Sequence, residues 1–222
     1  LGIGNLCKRE TRRMHLADSV LDTPAMIGSN IAAAGCVGLS LRRLSYERIP
    51  RVGLLAAVFF MASFVHVRLG PTSVHLLLNG LLGLLLGWAA LPALAVALFL
   101  QSVLLGHGGL TALGANVLGM GLPGVVIGIP FSYLCRRAGS TGLAMGWGAL
   151  AGGLSVLLTA AAFATFLHVS DPQAYALTIR ALVVAHVPIV FLEAGVTGAA
   201  IGLVRRVHPE LLAFHSTTEA AI

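Results

Sequence analysis

Histidines and amide side chains interrupt an otherwise apolar chain, and they are the residues with which it could do chemistry. His15 directly follows Met14. If the chain began at Met14, its free α-amine, the backbone nitrogen of His15 and the His15 imidazole Nδ1 could close fused chelate rings around one ion. A further nitrogen would complete a square, which suits Ni(II) or Cu(II), whereas Zn(II) prefers a tetrahedron. Such ligands bind deprotonated, so this site should load better at neutral than at acidic pH.

A second histidine, His75, follows a Pro-Thr-Ser segment at the start of an apolar run. We expect Pro71-Thr72-Ser73 to be a loop that caps a helix. His75 and Asn79, four positions apart, would then share one face of that helix. His75 alone is more often a capped interfacial histidine than a ligand, and we interpret His66 as interfacial.

The composition predicts a membrane protein. Of 222 residues, 57% are hydrophobic and 10% charged, and the mean hydropathy is +0.93, whereas soluble domains carry about 25% charged residues. The net charge of +6 does not indicate nucleic-acid binding, because the basic residues punctuate apolar runs as topology signals do. Three cysteines without paired spacing provide neither a disulfide framework nor a zinc site.

A spanning helix needs ~20 mostly apolar residues, and on that basis we predict an all-α bundle of about seven transmembrane helices in a single domain, 14–212. Gly and Ala recur at a spacing that lets helix backbones approach closely, as in Gly28/Ala32, Gly124/Gly128 and Gly148/Gly152. Gly87–Pro92 divides the third predicted span from the fourth. The predicted spans are 24–41, 52–67, 73–88, 91–106, 112–134, 141–167 and 179–204.

The arginines between these spans predict the orientation. Short loops that are rich in Lys and Arg lie in the cytoplasm, which places the N-terminus outside and residues 213–222 in a cytoplasmic tail. A basic stretch, 1–13, would then have to cross the membrane, so we expect that translation begins at Met14 and that 1–13 is a non-native leader. One set of loops holds Arg42, Arg43, Arg48, Arg51, Arg136, Arg137, Arg205 and Arg206, and the other holds Arg68 and Arg180.

Given this topology, the remaining polar side chains gather near one membrane face. Polar residues within spans are costly and by default indicate a functional site. Gln101 lies near the outer end of the fourth span, His107 in the next external loop and Asn116 one turn into the fifth span. We therefore predict a pocket that is open to the outside and lined by Asn79, Gln101, His107 and Asn116. His107 could equally cap its loop.

Four stretches, in matching order and spacing, carry a resemblance to a known family. They are MHLADSVL at 14–21, GPTSVHLL at 70–77, GHGGLTALGAN at 106–116, and HVPIVFLEAGVT at 186–197 followed by RRVHPELL. The chain resembles the CbiM/NikM family, the substrate-specific membrane components of energy-coupling-factor (ECF) importers for cobalt and nickel. The likeness runs from Met14 to about Leu212.

The resemblance implies a site and a set of partners. The family's metal ligands fall on Met14, His15 and His75. Co²⁺ or Ni²⁺ would be the transported substrate, with no permanently bound cofactor. The family works in the inner membrane with ECF ATPase subunits and a transmembrane coupling subunit, and some of its transporters include a small accessory membrane subunit. The family's GDGG loop is Gly106-His107-Gly108-Gly109 here, so the choice between cobalt and nickel stays open.

The last predicted span carries a further polar group, His186, Glu193 and Thr197, on one helix face. These residues could form a relay or sense a partner, but we favour the interpretation that they are interhelical contacts that fix the packing.

We interpret the chain as a transporter subunit and not as an enzyme. It contains no GxxxxGK[ST] loop, so energy must come from partner ATPases. One alternative is a b-type haem or quinone protein that uses transmembrane histidines, with His75 and His186 as axial ligands. A weaker alternative is an intramembrane hydrolase, for which no GxSxG-like elbow is present and Ser102 and Ser132 are the remaining nucleophiles.

Overall fold

The computed structural model describes Leu16 and residues 21–64, 66–69 and 72–213. This part of the chain forms a helical bundle with one short antiparallel hairpin, and short 3₁₀ turns at Tyr46–Arg48, Gly87–Ala89 and Pro209–Ala213. The α-helices are α1 (Thr23–Arg42), α2 (Ile49–Ala62), α3 (Asn79–Leu86), α4 (Ala90–Leu105), α5 (Leu113–Arg137), α6 (Thr141–Ser170) and α7 (Ala176–Val207), and the strands are β1 (His66–Leu69) and β2 (Thr72–His75).

Local sequence signals set several of the helix ends. The Asp22 carboxylate accepts a hydrogen bond from the Ala25 amide at 3.3 Å and so caps α1. The Ser140 hydroxyl accepts one from the Leu143 amide at 3.2 Å at the start of α6. Each satisfies a backbone donor that the first turn leaves unpaired. At the end of α4, Gly106 has a φ of 62°, a left-handed conformation that glycine adopts without steric cost.

Among the residues that the structure describes, five helical stretches are long and apolar enough to cross a membrane. α3 and α4 are joined by the 3₁₀ turn at Gly87–Ala89 into one apolar stretch of 27 residues, whereas α2 has only 14 residues. The seven α-helices follow the order of the seven predicted spans, but the seven-span topology and its orientation stay predictions. The five stretches are Thr23–Arg42, Asn79–Leu105, Leu113–Arg137, Thr141–Ser170 and Ala176–Val207.

The structure corrects two of the predicted spans. The span predicted at 52–67 ends as a helix at Ala62, and the one predicted at 73–88 begins only at Asn79. Between them lies the hairpin, in which His66 pairs with His75 and Leu69 with Thr72. The hydropathy of these residues alone cannot distinguish an extended segment from a helix. In the hairpin, cross-strand pairing satisfies the polar groups of the backbone.

Helix α3 is enclosed by its neighbours, since all of its residues from Asn79 to Leu86 are buried. Glycines make this possible, because a methyl group at Gly83 would overlap the carbonyl group of Gly124 and one at Gly128 would overlap the backbone of Gly83. The predicted close approach at Gly124/Gly128 is thus confirmed. Such contacts let backbones pack without a hydrophobic driving force, which is absent in lipid.

The other predicted small-residue pairs have different outcomes. Gly148 and Gly152 of α6 pack closely against α7, with Gly148 facing Ile201, so that prediction is confirmed. The prediction for Gly28 and Ala32 is wrong within the chain: both are exposed on α1, and a methyl group added at Gly28 would have no atom within 4 Å. The spacing of small residues shows where another helix could approach closely, but not whether a helix of the same chain packs there.

At the other end of the bundle, Arg205 ties α7 to the end of α5. Its guanidinium donates to the carbonyl oxygens of Cys135, at 2.9 Å, and of Ala138. Helix C-termini leave such carbonyls without intrahelical partners, and a cation stabilises them. Beyond α7, hydrogen bonds to Glu210, first from its own backbone and then from the His208 side chain, lower the pKa of the Glu210 carboxyl group.

Candidate metal site

Leu16, which precedes α1 in the sequence, is buried in the bundle. This residue is 6% exposed, and the Asn116 side chain on the first turns of α5 binds its backbone on both sides. The Leu16 amide donates to Asn116 Oδ1 at 2.9 Å, and Asn116 Nδ2 donates to the Leu16 carbonyl at 3.0 Å. A buried amide side chain that pairs with both groups of one residue satisfies polar atoms that would otherwise be costly. The backbone at position 16 is therefore held inside the protein.

Asn30 makes a second attachment between the N-terminal part and α5. Its Nδ2 donates to the Thr111 carbonyl at 2.6 Å, and its Oδ1 accepts from the Gly114 amide at 3.0 Å, which caps the start of α5. A methyl group at Gly114 would overlap the Asn30 backbone. The loop motif GGLTALGAN thus has a physical explanation: Gly114 permits the close approach of α1, and Asn116 binds Leu16.

His75 lies at the end of β2 and is 4% exposed. Its Nδ1 lies 2.8 Å from the Leu76 carbonyl oxygen. Because a carbonyl only accepts hydrogen bonds, Nδ1 carries the proton, and in the neutral ring the lone pair is on Nε2. This is the arrangement typical of a metal-binding histidine, in which the other ring nitrogen donates to a backbone carbonyl or a carboxylate.

The predicted shared helix face of His75 and Asn79 is wrong. Residues 76–78 are not helical, α3 begins at Asn79, and Thr72 and Ser73 lie in β2 instead of capping a helix. The reason is Glu193 of α7, which is fully buried and whose Oε1 accepts hydrogen bonds from the amides of Leu77 and, at 2.9 Å, Leu78. Those amides lie just before α3, so a carboxylate from another helix takes the place of a local cap.

Of the predicted lining residues, Asn79 and Asn116 make defined structural contacts. Asn79 Nδ2 donates to the Met120 carbonyl at 2.9 Å and to Thr159 Oγ1 at 2.8 Å, which joins α3 to α5 and α6. Met120 is about one turn beyond Asn116 on α5. Asn79, four residues after His75, and Leu16 therefore contact neighbouring turns of α5.

Gln101 and His107 are placed by the end of α4. Gln101 is fully buried, and neither atom of its side-chain amide has a hydrogen-bond partner among the residues that the structure describes. The His107 amide donates to the Gln101 carbonyl at 3.1 Å, and the His107 side chain is half-buried. Gln101 lies about one turn before the end of α4 and Asn116 about one turn into α5, so both lie at a similar depth.

Met14 and His15, the other predicted ligands, lie outside the described residues. Within the ranges that are described, no three His, Cys, Asp or Glu side chains gather in a way that could hold a metal ion. An ion site centred on His75 would therefore need ligands from elsewhere in the chain.

We expect that Asn116→Ala releases the N-terminal segment from the bundle. The substitution removes both hydrogen bonds to Leu16 and leaves its buried amide and carbonyl without these partners. Since outer-shell residues typically change metal affinity about 10- to 100-fold, affinity for Ni²⁺ should fall by about that factor. Hydrogen exchange of the peptide spanning residues 14–22 should rise in parallel. The exposed amide Gln173 provides the control, and Gln173→Ala should change neither.

Sequence reasoning missed Asn30 and Thr159 as parts of this region. Asn30 is an amide within the otherwise apolar first span, which is the signal that could have identified it, since polar residues in spans find partners. Thr159 lies in an α6 stretch of small and hydroxyl residues with Ser155, and its Oγ1 accepts from Asn79. Nothing in the local sequence of α6 indicates which helix it faces.

Comparison with known proteins shows the family to which the chain is similar. The family described as the cobalt uptake substrate-specific transmembrane region, CbiM, matches residues 15–211. A Haemophilus influenzae protein, provisionally named a metal transport protein, is 36% identical over 203 residues, covering 90% of this chain and 97% of its own length. The cobalt transport protein CbiM of Sorangium cellulosum is 33% identical, covering 90% and 94%.

A fused relative extends beyond this chain. The fused nickel transport protein NikMN of Rhodobacter capsulatus is 30% identical over 222 residues, which cover 90% of this chain but 64% of that protein. In solved structures, a truncated transition metal transporter superposes with a TM-score of 0.68 at 22% identity, covering 89% of this chain and 99% of its own, and so supports the fold. The chain is a multi-pass membrane protein and belongs to the CbiM family of transmembrane components of cobalt and nickel transport.

Proposed function

We propose that this protein is the substrate-binding subunit of an ECF-type importer for Co²⁺ or Ni²⁺. Met14, His15 and His75 form what we term the N-terminal site. The α-amine of Met14, the backbone nitrogen and imidazole of His15, and the His75 imidazole hold the ion. Asn79, Gln101, His107 and Asn116 line or support this site. The ion is captured from outside the inner membrane and released inside.

The observation that carries this proposal is the burial of Leu16 and its attachment to Asn116. The residue directly before it is His15, so the backbone leads from a fixed internal position to the proposed chelating nitrogens. His75 is also buried, and its ring presents a lone pair on Nε2. Fixing both segments against α5 reduces the conformational entropy that would be lost on binding the ion.

Energy for transport must come from other subunits in this proposal. The chain has no nucleotide-binding GxxxxGK[ST] loop, and CbiM-family proteins are components that work with further subunits. We propose ECF ATPase subunits and a transmembrane coupling subunit as partners. A small accessory membrane subunit is a further candidate partner. Arg205 already binds the carbonyls at the end of α5, which leaves the neighbouring Arg136, Arg137 and Arg206 as the candidates for docking.

The experiment that tests this function compares N-termini. Protein that begins at Met14 should bind Ni²⁺ or Co²⁺ tightly in isothermal titration, because its free amine completes the chelate. Protein that carries residues 1–13 should bind far more weakly, and removing those residues with a site-specific protease should restore tight binding. Equal affinity of the extended and the shortened proteins would show that the amine is not a ligand.

The haem and hydrolase alternatives have less support. Ser102 Oγ donates to the Phe99 carbonyl at 2.8 Å, and Ser132 Oγ donates to the Ile129 carbonyl at 2.8 Å. Each hydroxyl thus bonds to its own helix, as is common for serine in apolar helices. Family membership favours metal-ion transport over haem binding, and the absorbance spectrum of the purified protein distinguishes them, since bound haem gives a Soret band.

A further inference from the structure

Three leucines at 76–78, which we call the connector, join the strand that carries His75 to helix α3. They belong to neither element, and Leu77 and Leu78 are 1% and 5% exposed. At Leu78 the backbone has a φ of 47°, in the left-handed region that residues other than glycine seldom adopt. Buried backbone groups need hydrogen-bond partners, so contacts from outside the connector must hold it in this conformation.

The connector determines how the His75 ring is oriented. Its first carbonyl oxygen, that of Leu76, lies 2.8 Å from His75 Nδ1, and this contact fixes the ring and leaves the lone pair on Nε2. At the other end, Asn79 is bonded to the Met120 carbonyl and to Thr159. A change in the backbone between these two points would therefore move the ring while α3 stays in place.

Glu193 of α7 holds the middle of the connector. Its side chain is fully buried, and Oε1 accepts hydrogen bonds from the amides of Leu77 and, at 2.9 Å, Leu78. Hydrogen bonds to a carboxylate are shorter and stronger than those between neutral groups. The helix that carries Glu193 is itself tightly packed, since a methyl group at Gly152 of α6 would lie 2.7 Å from the Glu193 carbonyl oxygen. The acceptor thus comes from a fixed point of the bundle.

Without this acceptor, the leucines favour a different structure. Leucine is a strong helix former, and in a longer α3 the amides of Leu77 and Leu78 would find acceptors four residues earlier, at Ser73 and Val74. Those residues now pair with β1. A residue advances about 3.3 Å in an extended segment and about 1.5 Å in a helix, so winding the connector into α3 would displace His75 by about 5 Å. Metal–ligand distances vary by only about 0.2 Å, so the ion would lose this ligand.

From this arrangement we infer that Glu193 is a positioning residue for the transported ion. Its carboxylate holds the connector out of the helix and so keeps His75 where its Nε2 can bind the ion. In this role Glu193 is not a ligand, and it acts through the backbone of two leucines. What the role requires is an acceptor oxygen at the place of Oε1. The inference rests on the proposed function, because it needs His75 to be a ligand.

Binding of Ni²⁺ to protein that begins at Met14 tests this inference with three substitutions of Glu193. Glu193→Ala removes the acceptor, and Glu193→Asp withdraws it from the amides by one methylene while it keeps the charge. Both should weaken binding in isothermal titration by about 10- to 100-fold, the range for outer-shell residues. Glu193→Gln keeps an oxygen in place and should bind much as the native chain does. Glu193→Asp also carries the test if Glu193→Ala fails to fold.

Two further readouts distinguish positioning from a general loss of stability. In folded, Ni²⁺-saturated Glu193→Asp, the X-ray absorption spectrum should lose the scattering of one imidazole ring, as in His75→Ala. Hydrogen exchange should rise in the peptide that contains residues 76–79 but not in the one spanning 14–22, because Asn116 still holds Leu16. A residue that only stabilised the bundle would lower the resistance to SDS and leave the spectrum of the bound ion unchanged.

The control is Thr197→Val, one turn further along the same buried face of α7. It removes a hydroxyl that has no hydrogen-bond partner among the described residues and preserves the shape of the side chain, so its affinity should match that of the native chain. If Glu193→Ala and Glu193→Asp bind Ni²⁺ as tightly as Thr197→Val while His75→Ala does not, the inference is overturned and the proposed function stands. If folded His75→Ala also binds with native affinity, His75 is not a ligand and both are overturned.

Discussion

Replacing His75 with alanine is expected to abolish tight binding of Ni²⁺ and Co²⁺. The substitution removes the one proposed ligand that a strand of the bundle holds in place, and it leaves only the N-terminal chelate, which has lost its fourth nitrogen. Since outer-shell changes alone cost about 10- to 100-fold in affinity, the loss of a ligand should exceed about 100-fold. Isothermal titration at neutral pH with protein that begins at Met14 measures it, and His15→Ala should have a comparable effect.

The control for this prediction separates binding from folding. His75 is 4% exposed, so its removal could also loosen the hairpin. His75→Gln keeps most of the side-chain volume and should lose metal binding while its thermal unfolding stays near that of the native protein. His168→Gln, at an exposed position, should keep full affinity. Native-like Ni²⁺ affinity in folded His75→Ala would rule out His75 as a ligand.

The second large effect is expected at Gly83, where Gly83→Ala should prevent correct packing of α3. The added methyl group would overlap the backbone carbonyl of Gly124, and backbone cannot move aside by changing rotamer. Overpacking of a core typically costs about 1–3 kcal/mol and occasionally more, and a backbone clash should lie at or beyond the upper end. Unfolding in mixed micelles by increasing SDS, followed by size-exclusion chromatography, measures the loss.

Gly146→Ala is the matched control for this prediction. Gly146 lies within α6, and a methyl group there would have no atom within 4 Å. Alanine is a better helix former than glycine by about 1 kcal/mol, so this variant should be as stable as the native chain or slightly more stable. Equal stability of Gly83→Ala and Gly146→Ala would show that α3 does not pass between α5 and α6 as closely as described.

The helical architecture could be predicted because it depends on composition. Long apolar runs with few charges can only span or fill a membrane as helices, and the boundaries of α1, α5, α6 and α7 lie within a few residues of their predicted positions. The 3₁₀ turn at Gly87–Ala89 falls where Gly87–Pro92 was expected to divide two spans. Gly and Pro determine a turn through their own backbone geometry, so the position of this turn can be predicted from the local sequence.

The segment around His75 could not be predicted, because long-range contacts determine its conformation. The stretch from 76 to 86 is leucine-rich and is interrupted by Asn79, Gly80 and Gly83. These residues do not by themselves indicate that the leucines before Asn79 are extended. The boundary before Asn79 comes from Glu193, more than a hundred residues later, whose carboxylate binds the amides of Leu77 and Leu78. Leu78 accordingly has a φ of 47°, a conformation that its residue type does not indicate.

The candidate site shows the same division between local and distant causes. Asn116 lies near the start of α5, where the sequence placed it, and its role in lining a pocket stays a prediction. Its partner Leu16 is an ordinary apolar residue, and no sequence pattern indicates that its backbone binds an amide side chain. For Glu193, the favoured interpretation as a packing contact is supported through Oε1.

The most direct test of the central claim is the X-ray absorption spectrum of the Ni²⁺-loaded protein that begins at Met14. An unblocked amine, the His15 backbone and imidazole nitrogens, and the His75 imidazole predict an all-nitrogen, square-planar shell with the edge features of that geometry. His75→Ala should lose the imidazole scattering of one ring. A six-coordinate shell dominated by oxygen, or a spectrum that His75→Ala leaves unchanged, would contradict the account.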